Sequence, residues 1–191
     1  MKISLFVEGP SDEDTLHKLA RKISPNLGFI TRVLPRGDLL NAAKVEAYIN
    51  ADVKVKHQDI LKVIICPDSE CTPEDEFLRI VLPIEKEVRA LVKNPPVYYC
   101  GVIHATEAWL ACDAMALGRY IGLGDTRAPG AQAIVNSCKP KQALRELFGR
   151  NGKDFTNVRD NPRLADVVDV QELLRISTSF ARFARLVRHN E

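Results

Sequence analysis

The chain has 191 residues, 46% of them apolar and 27% charged. A chain of that length buries roughly 70% of its unfolded surface without help from disulfides or zinc, and this composition excludes a disordered or fibrous protein. Lys and Arg number 27 against 25 Asp and Glu, a net charge of +2, so no bulk charge advertises nucleic acid as a partner. The charge is unevenly placed: residues 139–191 carry 11 basic and 7 acidic residues, while residues 1–138 carry 16 basic and 18 acidic. An acidic front half and a basic tail fit a metal-ion site beside a phosphate-binding surface, although a solvated helix face gives the same counts.

The five cysteines are Cys66, Cys71, Cys100, Cys112 and Cys138, an odd number with no Cys-x-x-Cys pair. No second pair or nearby His completes a zinc site around Cys66 and Cys71, so the expectation is reduced, mostly core cysteines in a cytoplasm. The start, MKISLFVEGPSDED, turns acidic after seven residues, unlike a signal peptide. No apolar run approaches the roughly 18 residues of a membrane span.

In chain order, Ile3, Leu5 and Val7 with Phe6 between them predict a buried strand ending at Gly9–Pro10. Ser11 is the expected N-cap of a helix over 12–23, with Asp12, Glu13 and Asp14 in its first turn. Residues 29–34 predict a second strand, and 40–51 a second helix. Residues 60–66 are apolar on both faces, the mark of a central strand. Pro73 opens an amphipathic helix to about Val92, Val97–Ile103 predicts a fourth strand, and a helix follows from Thr106 to Tyr120. This alternation predicts an α/β fold with a mostly parallel, Rossmann-like sheet flanked by helices. The core would span 1–120. Residues 121–191 would be a helical extension packed on it: a loop to 138, then helices over 139–149, 160–174 and 177–189.

Sites in such sheets form beyond the C-terminal ends of the strands. The first strand ends in Glu8, with Asp12 one turn on; the third ends in Asp68 and Glu70; the fourth leads through His104 to Glu107. Five carboxylates converging on one edge repel one another unless a cation neutralises them. Hard oxygen donors suit Mg²⁺ or Mn²⁺ rather than Zn²⁺. Taken singly each acid has a plainer explanation, such as a helix dipole or a turn for Asp12 and Asp68. His104 and Trp109 are read first as packed residues.

Phe6-Val7-Glu8-Gly9-Pro10-Ser11-Asp12-Glu13 resembles the first motif of the TOPRIM domain, shared by topoisomerases, primases, RecR-type repair proteins and OLD-type nucleases. Val63-Ile64-Ile65-Cys66-Pro67-Asp68-Ser69-Glu70 resembles its second, an apolar strand followed by Asp-x-Asp. The stretch Glu107-Ala108-Trp109-Leu110-Ala111-Cys112-Asp113, Pro140-Lys141 and the Phe180-to-Phe183 helix resemble small stand-alone TOPRIM proteins often linked to prokaryotic defence. Two departures stand out. Glu70 occupies the position where the family has Asp, and Cys71-Thr72-Pro73 replaces the glycine that often follows.

The resemblance implies a TOPRIM sheet and divalent-metal-dependent hydrolysis of nucleic-acid phosphodiesters, DNA or RNA, as in an OLD-like endonuclease. Glu8, Asp68 and Glu70 would hold one Mg²⁺ or Mn²⁺, and Asp12 and Glu107 would help hold a second. Glu8 would alternatively serve as general acid/base. Lys141 or Lys139 would meet the scissile phosphate, while Arg182, Arg185 and Arg188 would follow the backbone. Two other readings remain open. One is a non-catalytic docking or regulatory subunit of a partner ATPase or of a nucleic-acid complex, an ATPase partner being suggested because the chain has no GxxxxGK[ST] run. The other is a phosphoryl-transfer enzyme with Asp68 as acceptor.

Overall fold

The computed structural model describes residues 1–53, 55 and 59–188. The strands are β1 (Lys2–Val7), β2 (Gly28–Val33), β3 (Ile60–Cys66) and β4 (Val97–Tyr99), in the order β2-β1-β3-β4, and every pairing is parallel. Helix α1 (Pro10–Ile23) links β1 to β2. Short helices α2 (Arg36–Leu39) and α3 (Ala42–Tyr48) and a π-helical turn (Ile49–Val53) follow, and α4 (Glu74–Leu91) joins β3 to β4. Beyond the sheet come α5 (Thr106–Leu110), α6 (Ala114–Ile121), α7 (Ala131–Val135), α8 (Pro140–Arg150), α9 (Asn157–Val167), α10 (Val170–Ile176) and α11 (Thr178–Arg188).

The period-two geometry of strands explains why β1 and β3 are apolar on both sides. Ile3, Leu5, Val7, Ile64 and Cys66 pack into one cluster with α1 and the helices beyond residue 106. Phe6, Val63 and Ile65 pack into a second cluster with α3 and α4. The residues after 120 supply Leu144, Leu147, Phe148, Leu164, Phe180 and Phe183 to the first cluster. Trp109 sits in that cluster, 1% exposed, with its ring 5.2 Å from Phe180 and 5.5 Å from Phe183. Its Nε1 donates to Ser179 Oγ at 2.8 Å. It is thus a core residue that docks α11.

Several predicted boundaries move, each for a local reason. Helix α1 starts at Pro10 with Gly9 as N-cap, so Ser11 is inside the helix rather than capping it. A proline at the first helical position is preset for the turn, and the buried Ser11 hydroxyl instead accepts from Asn157 Nδ2 at 3.3 Å. The fourth strand ends at Tyr99 rather than Ile103. Val63 takes a bond from its amide to Pro96 O and Ser69 from its amide to Val102 O, but Pro67, between them, has no N–H to donate. Only an isolated bridge, Asp68 to Val102, resumes the pairing. The single helix expected over 106–120 breaks at Asp113. That carboxylate caps α6 by accepting from the Ala116 amide at 2.9 Å and takes a second bond from the Asp169 amide at 2.8 Å.

The segment 121–138, expected as loop, contains α7, and the helix expected over 160–174 is divided into α9 and α10. The end of the last helix, placed at 189 from sequence, lies outside the described residues, as do 190 and 191. Cys66, Cys100 and Cys112 are buried free thiols, as expected. Cys71 and Cys138 are not: they are exposed and joined in a disulfide, Cα–Cα 4.5 Å, because the loop after β3 meets the start of α8. No helix among the described residues is long and apolar enough to cross a membrane.

Candidate active site

The chain leaves β1 toward β2 on one side, and β3 lies on the other. The gap between the C-terminal ends of β1 and β3 is therefore the switch point of the sheet, where open α/β folds place their ligands. Glu8 follows β1 and Asp68 follows β3 by two residues. The Asp68 amide donates to Glu8 Oε1 at 2.9 Å, binding the two strand ends together. Asp12 enters from the first turn of α1, 4% exposed, and accepts from Thr106 Oγ1 at 2.6 Å. Glu107, in the first turn of α5, is 0% exposed. Its Oε1 accepts from Asn161 Nδ2 of α9 at 2.7 Å, while its Oε2 has no hydrogen-bond partner.

Buried acids cannot all carry charge without compensation. Burial, then the charges of Asp12 and Glu8, pushes Asp68 well above the usual carboxylate range, and Lys141 opposes them. Burial raises Asp12 as well, against the Thr106 hydroxyl and Lys141. Glu107 is raised by burial and by Asp12, with Lys141 and Asn161 pulling the other way. For Lys141, burial favours the neutral amine, but Glu107, Asp68, Asp12 and Glu8 outweigh it and raise its pKa. Lys141, half-buried at the start of α8, is thus a fixed cation facing four carboxylates.

Of the candidates read from sequence, the structure brings together Glu8, Asp12, Asp68, Glu107 and Lys141. Glu70 is placed differently. It is exposed, at the mouth of a cleft of 360 Å³ that Asp68, His104, Lys139, Lys141 and Arg145 also line. It is not among the largest charges acting on Asp68 or Lys141. Its backbone is left-handed, φ 50°, as is that of His104, φ 63°. The two residues lock face to face: the Glu70 amide donates to His104 O, and His104 Nδ1 donates to Glu70 O, both at 2.9 Å. Both are non-glycine residues, held in this strained region by the reciprocal hydrogen bonds.

Lys139 is exposed on the same cleft. Arg182 and Arg185 are not on it; they line a separate cavity beside β4 with Glu85 and Arg89.

Residues 7–188 match the family described as "Domain of unknown function (DUF4276)". The chain belongs to the DUF4276 family. None of the curated proteins matches it. Among solved structures it is similar to the C-terminal region of the Xanthomonas campestris pv. campestris OLD protein, with 14% identity, a TM-score of 0.42 and 98% of each chain covered.

Whether a divalent cation suits the residues of the DUF4276 chain is answered by their chemistry. Among the described residues, no three His, Cys, Asp or Glu side chains stand as a ready-made metal-ligand group. The donors nevertheless fit a hard cation. They are all carboxylate oxygens, burial first and their neighbours' charges second raise the pKa of the buried acids, and Glu107 Oε2 is orphaned where a buried acceptor needs a partner.

Two residues of this DUF4276 site escaped the sequence reading, Thr106 and Asn161. Thr106 sits directly before Glu107, and a hydroxyl beside a site carboxylate was a readable signal. Asn161 lies 54 residues from Glu107 with nothing in its surroundings to mark it.

Proposed function

We propose that this protein is a divalent-metal-dependent phosphodiesterase of the TOPRIM kind, acting on nucleic acid in the manner of an OLD-like endonuclease. The observation that carries the reading is the convergence of Glu8, Asp12, Asp68 and Glu107 on Lys141 at the switch point of the sheet. The two motifs around Glu8 and Asp68 support it independently.

Glu8, Asp12, Asp68 and Glu107 would hold Mg²⁺ or Mn²⁺, with Glu70 reaching in from the cleft mouth. When bound, the cation supplies Lewis-acid stabilisation of the attacking and leaving oxygens. The chain's own residues do the rest. Lys141, protonated throughout the physiological range, binds a non-bridging phosphate oxygen and meets charge that develops in the transition state. Glu8, half-buried and oriented by the Asp68 amide, would, where it does not ligate the cation, accept a proton from the attacking water instead. Asn161 and Thr106 fix the Glu107 and Asp12 carboxylates, so little reorganisation is needed when phosphate arrives. Lys139 and Arg145 extend the positive wall of the cleft.

The assay is nicking of plasmid DNA, or cleavage of RNA, in Mg²⁺ or Mn²⁺ by the wild type and by folded Glu8→Ala. The reading expects metal-dependent cleavage that Glu8→Ala abolishes; unchanged activity in the variant would sink it. A second reading, a docking or regulatory subunit of a partner ATPase, is favoured by one observation: the described residues hold no ready-made ligand group. In that case neither protein cuts in either metal.

A further inference from the structure

A second charged cavity lies beside β4, away from the carboxylates. It has a volume of 180 Å³ and is lined by Arg89, Arg182, Arg185, Glu85 and Tyr98. Arg89 is tied down three ways: its Nε donates to Val97 O at 2.7 Å, its Nη2 pairs with Glu85 Oε1 at 2.7 Å, and it lies 4.6 Å over the Tyr98 ring. Arg182 donates from Nη2 to Tyr99 O at 3.2 Å and stands 4.0 Å from Glu85 Oε2. Arg185 is exposed and makes no hydrogen bond or ion pair with the described residues. Three arginines thus face one glutamate, leaving a surplus of positive charge around a space roomy enough for a phosphate group.

The cavity is linked to the cleft. Thr178, Arg182 and Arg185 fall at i, i+4 and i+7 on α11, one stripe about 10 Å long. Thr178 lines a small polar cavity of 150 Å³ together with His104, Asn136 and Ser177. His104 also lines the cleft over Asp68 and Lys141. His104 thus borders both the cleft and the small cavity, and the α11 stripe leads from Thr178 in that cavity to Arg182 and Arg185.

We propose that the Arg89–Arg182–Arg185 cavity binds a backbone phosphate of a nucleic-acid strand that leaves the cleft along this stripe. The proposal rests on the reading of the cleft as a nucleic-acid site, but it concerns binding rather than cleavage. The occupant is taken to be a single strand, whose flexible backbone can bend one phosphate into a cavity of 180 Å³.

The test is fluorescence anisotropy of a labelled single-stranded oligonucleotide in EDTA, so that no metal acts and nothing is cut. Salt is varied, and wild type is compared with Arg185→Ala, Arg185→Lys and Arg185→Glu. Arg185 carries no contact on which the fold depends, so all three variants are expected to stay folded. The expected result is a three- to tenfold weaker Kd for Arg185→Ala and a salt slope smaller by roughly 0.7, the share of one phosphate on a single strand. Arg185→Lys should recover most of the affinity, and Arg185→Glu should lose more than Arg185→Ala. Equal affinities and slopes for all four proteins would overturn the proposal. So would inorganic phosphate competing at the oligonucleotide's own concentration, which marks a free-anion site. Cleavage that fails while this Arg185 dependence holds removes the phosphodiesterase and leaves the binding track; the reverse pattern removes only the track.

Discussion

The amide of Asp68 donates to Glu8 Oε1 at 2.9 Å, joining residues 60 positions apart at the ends of two adjacent parallel strands. This bond orients the Glu8 carboxylate with a main-chain donor, which any substitution at position 68 other than proline retains. Asp68→Asn therefore keeps Glu8 in place while removing one ionisable carboxylate from the cluster. Activity should fall by two orders of magnitude or more in kcat with little change in the fold, measured by steady-state cleavage together with circular dichroism.

The metal-free protein should show an inverted pH dependence. Asp68, Asp12 and Glu107 all have folded pKa values raised above those of the unfolded chain. Below the unfolded value, near 4, both states are protonated and these groups cost nothing. As pH rises through the window between the unfolded and folded values, the unfolded chain ionises first and stability falls. In EDTA, these groups should therefore make Tm decline as pH rises above about 4. Asp68→Asn should flatten that decline and be the more stable protein at neutral pH. Parallel Tm-against-pH curves for wild type and Asp68→Asn across this window would contradict the burial of Asp68.

Lys141 should separate metal binding from catalysis. It is a competing cation for the four carboxylates and also the group proposed to meet phosphate. Lys141→Ala is expected to bind Mn²⁺ more tightly than wild type, because one positive charge leaves the cluster, yet to lose about a hundredfold in kcat. A variant that loses both together would assign Lys141 to support of the site alone.

The Cys71–Cys138 disulfide closes a loop of 67 residues around the cleft. Chain entropy attributes about 4 kcal/mol to a loop of this length, and real bridges often give less. Reduction should lower Tm in a differential scanning experiment, and Cys138→Ser should have the lower Tm with no response to reductant. Identical melting with and without reductant contradicts the bridge.

Trp109 is the clearest case of a residue whose chemistry invites a binding role but whose surroundings give it another. It is packed on Phe180 and Phe183 and bonded to Ser179. Trp109→Ala should destabilise the protein by about 3–5 kcal/mol in urea unfolding. A stable variant with lost oligonucleotide affinity would instead place the ring on a base.

What was legible in the sequence was what local pattern controls. The apolar runs at β1 and β3 and the acids directly after them announced a parallel sheet with Glu8 and Asp68 at its C-terminal edge, and the amphipathic stripe of α11 announced its buried phenylalanines. What was not legible depends on partners distant in sequence. β4 is short because Pro67, directly after β3, cannot donate a ladder bond. Asn161 finds Glu107, and Cys71 finds Cys138, only through the packing of the later helices. Glu70, one of the two acids of its motif, turns to the cleft mouth because a left-handed turn locked to His104 aims it there.

The central claim, that four carboxylates at the end of this sheet are a site for a divalent cation, is tested most directly by titration calorimetry. Mn²⁺ would be titrated into the wild type and into Glu107→Gln, whose orphaned oxygen the cation is expected to satisfy. Wild type should bind Mn²⁺ saturably, with proton release as the buried acids ionise, and Glu107→Gln should bind it at least tenfold more weakly. No heat of binding to the folded wild type, or equal binding by both proteins, would contradict it.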